Sequence, residues 1–356
     1  VKQKSSSSKE TTSRFKEFLI EIPKTEIHLH LEAIASVSTI WALMKKHNIT
    51  LQGISTKKQL ADKFNITSLD EFIDLFINVI QNCFQSEEDL ELLIEDAETY
   101  LQRNNIVYAE IFFAPTKMTM NGLEFSGMVK TLHEGAKKIK RDTAIEIKFI
   151  IDVSRSFGVE NAMTNLEKTL EFRNDSVIGI GLGGAEAQGP ARDFKAVFEK
   201  AIANDLHAVA HAGEDVGPES IWEAIQILHA SRIGHGISAI QDEKLMDFLK
   251  EKKIPLEICP TSNLFTKKYV SSLVEHPIKP FFHRGLIVTL NTDDPTLFSV
   301  GLIDEYLHLL EANVFTPDEL VTIVKNGIFS TFLPEKKKKS IIRDVDLIYK
   351  KRKGSF

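Results

Sequence analysis

From Ile22 onward, short runs rich in β-branched and apolar residues alternate with longer stretches of helical periodicity. The pattern predicts strands over residues 25–31, 106–113, 145–153, 177–182, 207–211, 232–236, 255–259 and 286–291. Most are separated by enough chain for a crossover helix, and strand–helix alternation implies parallel strands. Eight such units match a (β/α)8 TIM barrel, a fold that typically takes about 250 residues.

The excess length falls between the first and second strands. Residues 36–103 read as a helical insertion, packed on the barrel or covering its mouth as a lid, and both can hold at once. Loops after barrel strands face the active site. Inside the insertion, Leu69, Phe72, Ile73 and Phe76 follow helical spacing, and Ser68 with Glu71 forms a candidate capping box. Leu75, Phe76 and Phe84 are candidates to line its inner side. Beyond Glu311 the chain turns helical and basic, and its lysine-rich runs at 336–339 and 350–353 read as solvated faces of extra C-terminal helices. Residues 1–13, polar and serine-rich, read as a disordered lead, and 14–356 as a single domain.

Charge narrows the partners. Lys and Arg number 44 against 50 Asp and Glu, giving −6, which argues against nucleic acid or an anionic membrane surface. No apolar run reaches the ~18–20 residues that span a bilayer. Residues 1–13 lack the apolar stretch of a secretion signal, so a cytoplasmic location is expected. Two isolated cysteines, Cys83 and Cys259, are too few for a disulfide framework and read as buried reduced thiols.

Candidate chemistry gathers at the strand ends. The segments are His28-Leu29-His30, His211-Ala212-Gly213-Glu214, Gly234-His235-Gly236 and Thr292-Asp293-Asp294-Pro295. His28 and His30 are two apart, so on a strand they share a face, which in a barrel is the interior. His211 and Asp293 each follow an apolar run, and a buried carboxylate such as Asp293 is costly unless paired or bound to metal. Three imidazoles and one carboxylate suit Zn²⁺ or a similar divalent ion. Glu214, just past the strand tip, is either a proton-transfer group or an exposed acid opening the next helix. His235 is either a satisfied core histidine or a group beside a ligand, and its flanking glycines favour close approach.

The strings Pro-Lys-Thr-Glu-Ile-His-Leu-His-Leu-Glu (23–32), His-Ala-Gly-Glu (211–214), Arg-Ile-Gly-His-Gly (232–236), Cys-Pro-Thr-Ser-Asn (259–263) and Asn-Thr-Asp-Asp-Pro (291–295) resemble the adenosine deaminase family of the amidohydrolase superfamily. The resemblance implies a barrel holding one Zn²⁺ on His28, His30, His211 and Asp293. It implies that Glu214 protonates a purine ring, that His235 orients and deprotonates the attacking water, and that Asp294 contacts the imidazole edge of the base. His30, Glu32, Gly184 through its backbone N–H, and Asp294 are the substrate contacts it implies. Binuclear amidohydrolases carry a modified lysine at the end of the fourth strand, and residues 177–186 contain none. The implied partner is a small purine nucleoside or base, with water as co-substrate, no nucleic acid and no membrane.

One departure bears on the substrate. Glu32 stands where these enzymes usually carry an aspartate that binds the sugar 5′-hydroxyl, and Ala33 where glycine is usual. Adenosine or a 5′-modified nucleoside is the expected substrate, with adenine and aminodeoxyfutalosine as alternatives. Phosphorylated substrates would need a cationic clamp, for which Lys24, Arg155 and Arg192 are the candidates.

Overall fold

The computed structural model describes residues 2–64, 71, 75–266 and 268–356. Its eight strands are β1 (Lys24–Glu26), β2 (Ile106–Phe113), β3 (Glu146–Ser154), β4 (Val177–Gly183), β5 (His207–Ala212), β6 (Arg232–His235), β7 (Leu256–Ile258) and β8 (Val288–Leu290). They pair in sequence order, all parallel, with helices outside, which is the (β/α)8 barrel the alternation predicts. Closure runs through a parallel bridge between Leu29 and Asp293, beyond the end of either ladder. Asp293 N donates to His28 O at 3.2 Å, and His30 N donates to Asp293 O at 3.0 Å. The seam of the barrel is therefore made by the residues that carry the candidate chemistry.

The first ladder is shorter than the 25–31 expected. After Glu26 the regular ladder gives way to isolated backbone bridges at Leu29 and His30, while Ile27 N donates to the Asn291 side chain at 3.1 Å. Strands in barrels alternate inward and outward, and the strongly apolar runs of β2 and β3 are buried almost throughout.

The N-terminal expectation is corrected. In place of a disordered lead over 1–13, a helix spans Lys2–Glu21. It contains neither Gly nor Pro, and Phe15, Phe18 and Leu19, spaced along one face, are fully buried. Phe15 and Phe18 both contact the ring of the C-terminal Phe356, with centroids 5.3 Å apart in each pair. Anchoring that turn against the C-terminal end lets the helix continue outward from it.

In the insertion, helices Val37–Lys46 and Lys57–Lys63 precede a single π-helical turn, Phe76–Ile80. The helix Glu87–Arg103 packs beside β2 and the helix Phe125–Thr143, in the outer ring of the barrel. Most of the helix expected over 69–77, with its cap at Ser68, lies outside the described residues. The expected C-terminal helices are Pro317–Ser330 and Glu335–Arg352. No described helix is long and apolar enough to cross a membrane.

Candidate active site

Every strand that was expected to carry chemistry ends at one opening. His28 and His30 follow β1, His211 lies in β5, His235 closes β6, and Asp293 follows β8. His235 and Asp293 sit at φ 60° and 65°, a left-handed conformation that non-glycine residues rarely adopt. Such strain persists where surrounding bonds over-determine it, and it clusters at functional sites. The two backbone bonds at the barrel seam hold Asp293, and Gly236 N bonding to Ala212 O at 3.0 Å holds the turn after His235.

Gly234 explains why a glycine precedes His235. A Cβ there would lie 2.7 Å from His28 Cε1 and 3.2 Å from the His211 Cα. Any side chain would take the space of the His28 ring. The close approach expected from the flanking glycines is thus made by an imidazole from across the barrel.

His30 Nε2 lies 3.2 Å from His211 Nε2 and 3.3 Å from Asp293 Oδ1. His28 Nε2 is 3.4 Å from the same carboxylate oxygen. One donor atom from each of the four residues falls within 4.8 Å of all the others. The far ring nitrogens are committed elsewhere: His28 Nδ1 to Glu257 at 2.8 Å, His211 Nδ1 to the Leu182 carbonyl at 3.1 Å. Such outer contacts fix ring orientation and tautomer in metal sites. His28 Nε2 is buried without a hydrogen-bond partner. An orphaned imidazole nitrogen facing two others and a carboxylate fits a divalent transition ion. Asp293 keeps its second oxygen on the Ser262 hydroxyl, 2.7 Å away.

Beside this cluster, Glu214 Oε2 stands 3.3 Å from His235 Nε2. Burial, reinforced by Asp293, Asp215 and Glu186, pushes the Glu214 carboxyl well above the usual carboxylate range. Burial lowers the His235 imidazole to about 3, so it is neutral near pH 7. Burial and then the adjacent Asp293 raise Asp294 to about 8, and its Oδ1 has no partner. Glu32 accepts from Ala114 N at 2.9 Å through one oxygen and leaves the other, buried, without a partner.

A cavity of about 700 Å³ opens above these groups. His30, Glu32, Gly184, His211, Glu214, His235, Asp293 and Asp294 all border it, while His28 lies beneath. Phe76 brings the insertion to the cavity wall, whereas Leu75 and Phe84 belong to the core. The cationic clamp does not assemble. Lys24 donates to the Ile22 carbonyl, Arg155 to the carbonyls of Gly189 and His211, and Arg192 pairs with Glu223. None of the three borders the cavity.

Several residues without an assigned role in the sequence reading support the site. Glu186 accepts hydrogen bonds from the backbone N–H groups of Gly213, Glu214, Asp215 and Val216, at 2.5–3.1 Å, and from the Ser220 hydroxyl. The loop carrying Glu214 is wound around that one carboxylate. Glu257 carries His28, and Asp152 lies buried in the cavity wall. A signal existed for Glu257 and Asp152, since each is an acid flanked on both sides by apolar strand residues.

The chain matches the model of the adenosine deaminase family over residues 23–348. It is 34% identical over 334 residues to the aminodeoxyfutalosine deaminase of Streptomyces avermitilis, covering 92% of each chain. To the adenosine deaminase of Shewanella loihica it is 34% identical over 327 residues, covering 90% of this chain and 97% of that one. The solved adenine deaminase of Arthrobacter aurescens is similar with a TM-score of 0.87 at 28% identity, over 92% of this chain and 99% of its own. With this barrel and this cluster at its mouth, the chain belongs to the adenosine deaminase family, an enzymatic family of deaminases that hydrolyse C–N bonds.

Proposed function

We propose that this protein catalyses the hydrolytic deamination of a 6-aminopurine nucleoside, adenosine or a 5′-modified relative, with Zn²⁺ held by His28, His30, His211 and Asp293. The observation that carries the reading is the pairing of Glu214 with His235, 3.3 Å apart, one inclined to hold a proton and the other to lack one. A Zn²⁺ bound there supplies Lewis acidity, which lowers the pKa of a water to about 7.

The chain's own groups do the rest. An aromatic C6 is a poor electrophile until ring N1 is protonated, and Glu214, kept protonated by burial, is the donor. His235, neutral, takes a proton from the attacking water. The 6-amino group leaves as ammonia and the ring becomes a 6-oxopurine. Purine N7 is an acceptor, and an Asp294 raised to about 8 carries the proton needed to bond it.

The cavity is much larger than a free base, and Glu32 holds one unpartnered oxygen at its wall, suited to accept a hydroxyl. Both points favour a nucleoside. Adenine is the second reading, on the strength of the likeness to the Arthrobacter structure.

The test is ammonia release by zinc-loaded protein from adenosine, 2′-deoxyadenosine, adenine, AMP and aminodeoxyfutalosine, with cytidine as the negative control. At least one 6-aminopurine should react, and silence on all of them removes the reading. Glu214→Gln should lower turnover by about 10²–10⁴-fold at unchanged metal content. Near-normal turnover in that variant would take the proton-donor role away from Glu214.

A further inference from the structure

Asp152 is 5% exposed, near the C-terminal end of β3, and it borders the cavity. Among the described residues its carboxylate has no hydrogen-bond partner, and its Oδ1 is fully enclosed. The nearby cation is not spent on it: the Arg155 guanidinium donates to the carbonyls of Gly189, Leu182, Gly183 and His211. A buried polar group without a partner costs free energy, and an ionised one costs more.

The neighbouring strand is shaped to keep this acid in place. In register, Asp152 pairs with Gly181. A Cβ at Gly181 would lie 2.8 Å from Asp152 Oδ1, and one at Gly183 would lie 2.6 Å from Oδ2. Two glycines on β4 thus clear room for a carboxylate that nothing in the described protein satisfies. A cost held this specifically at a cavity wall marks a ligand contact.

The chemistry of that ligand follows from what the wall offers. Glu32 also leaves a buried oxygen unpartnered in this cavity. Two acceptors of this kind ask for two donors. A bare purine has few N–H donors, and its amino group belongs at the reaction centre beside Glu214, whereas a sugar brings several hydroxyls. We propose that Asp152 is a sugar-recognition residue whose carboxylate accepts a hydrogen bond from a ribose hydroxyl of the bound nucleoside. Burial raises Asp152 only to about 6, which leaves it ionised and accepting near neutral pH. The inference rests on the deaminase reading above and narrows its substrate to a nucleoside with free sugar hydroxyls.

The experiment measures kcat/KM of zinc-loaded wild-type, Asp152→Asn and Asp152→Ala proteins on adenosine and its 2′-, 3′- and 5′-deoxy analogues. Hydrogen bonds to charged groups predict that Asp152→Ala costs about 10- to 100-fold on adenosine. On the analogue lacking the contacted hydroxyl most of that loss should vanish, which also identifies the hydroxyl. Calorimetry should show inosine binding weakened by a similar factor, a readout independent of turnover. Both variants should melt no lower than wild type, because an unpartnered buried charge is removed. Equal losses on all four nucleosides, or unchanged inosine binding, overturn the proposal. A wild type active on adenine but on no nucleoside also overturns it while leaving deamination intact. Inactivity on every 6-aminopurine instead overturns the deaminase reading, and this one with it.

Discussion

Arg232 and Asp152 are both buried inside the barrel, yet they keep opposite electrostatic company. At the barrel floor Arg232 sits between Glu110 and Glu257, 2.5 Å from each, with the Phe332 ring 4.0 Å from its guanidinium. Tyr108 and the Phe332 backbone N–H add donors to Glu110. Burial acts to raise Glu257, but Arg232 and His28 outweigh it and hold the carboxyl below its ordinary value. At the mouth the balance reverses. Asp152, Glu32 and Asp294 each keep a buried oxygen without a partner, and burial raises all three. Each of these floor charges has an opposite charge within 2.5 Å, although Arg232 Nη2 itself has no hydrogen-bond partner, whereas among the described residues the three carboxylates at the mouth have no ion pair. Glu257 joins the layers, with one oxygen on Arg232 and the other on His28.

The contrast can be broken at the floor first. Arg232→Met leaves two buried carboxylates without their cation and should cost about 3–5 kcal/mol of stability. Denaturant unfolding measures it, and a near-neutral result would make the floor as incomplete as the mouth. A smaller effect is expected at the Glu214 loop. Glu186→Gln removes the charge that four backbone N–H groups converge on, so kcat should fall about 10-fold with KM little changed. A change in KM alone would show that Glu186 shapes the pocket and does not position the proton donor. The smallest effect separates the layers by pH. Burial raises the Glu214 carboxyl well above the usual carboxylate range, so its proton is kept below that elevated value and lost as pH climbs through it. The kcat/KM profile should therefore carry a descending alkaline limb. A profile still rising there would reverse the assignment.

Much of this was readable without coordinates, because strand–helix alternation and strand-end motifs are local patterns. Seven of the eight strands begin and end within about two residues of expectation. The exception, β1, is instructive: Leu29 and His30 are held by bridges to Asp293 and Phe112, partners remote in sequence. The N-terminal helix escaped for a similar reason, since its anchor is Phe356 at the other end of the chain. Glu186 lies just past the end of β4, but its role depends on a loop 27–30 residues away folding around it.

Amino-acid order alone determined the barrel class, the family resemblance and the set of imidazoles and acids gathered at its mouth, because periodicity and residue type are written locally. Only the three-dimensional arrangement decided which of those groups are partnered. Partnership between buried charges depends on distances across strands, and there a glycine such as Gly234 or Gly181 matters through the space it leaves for another residue.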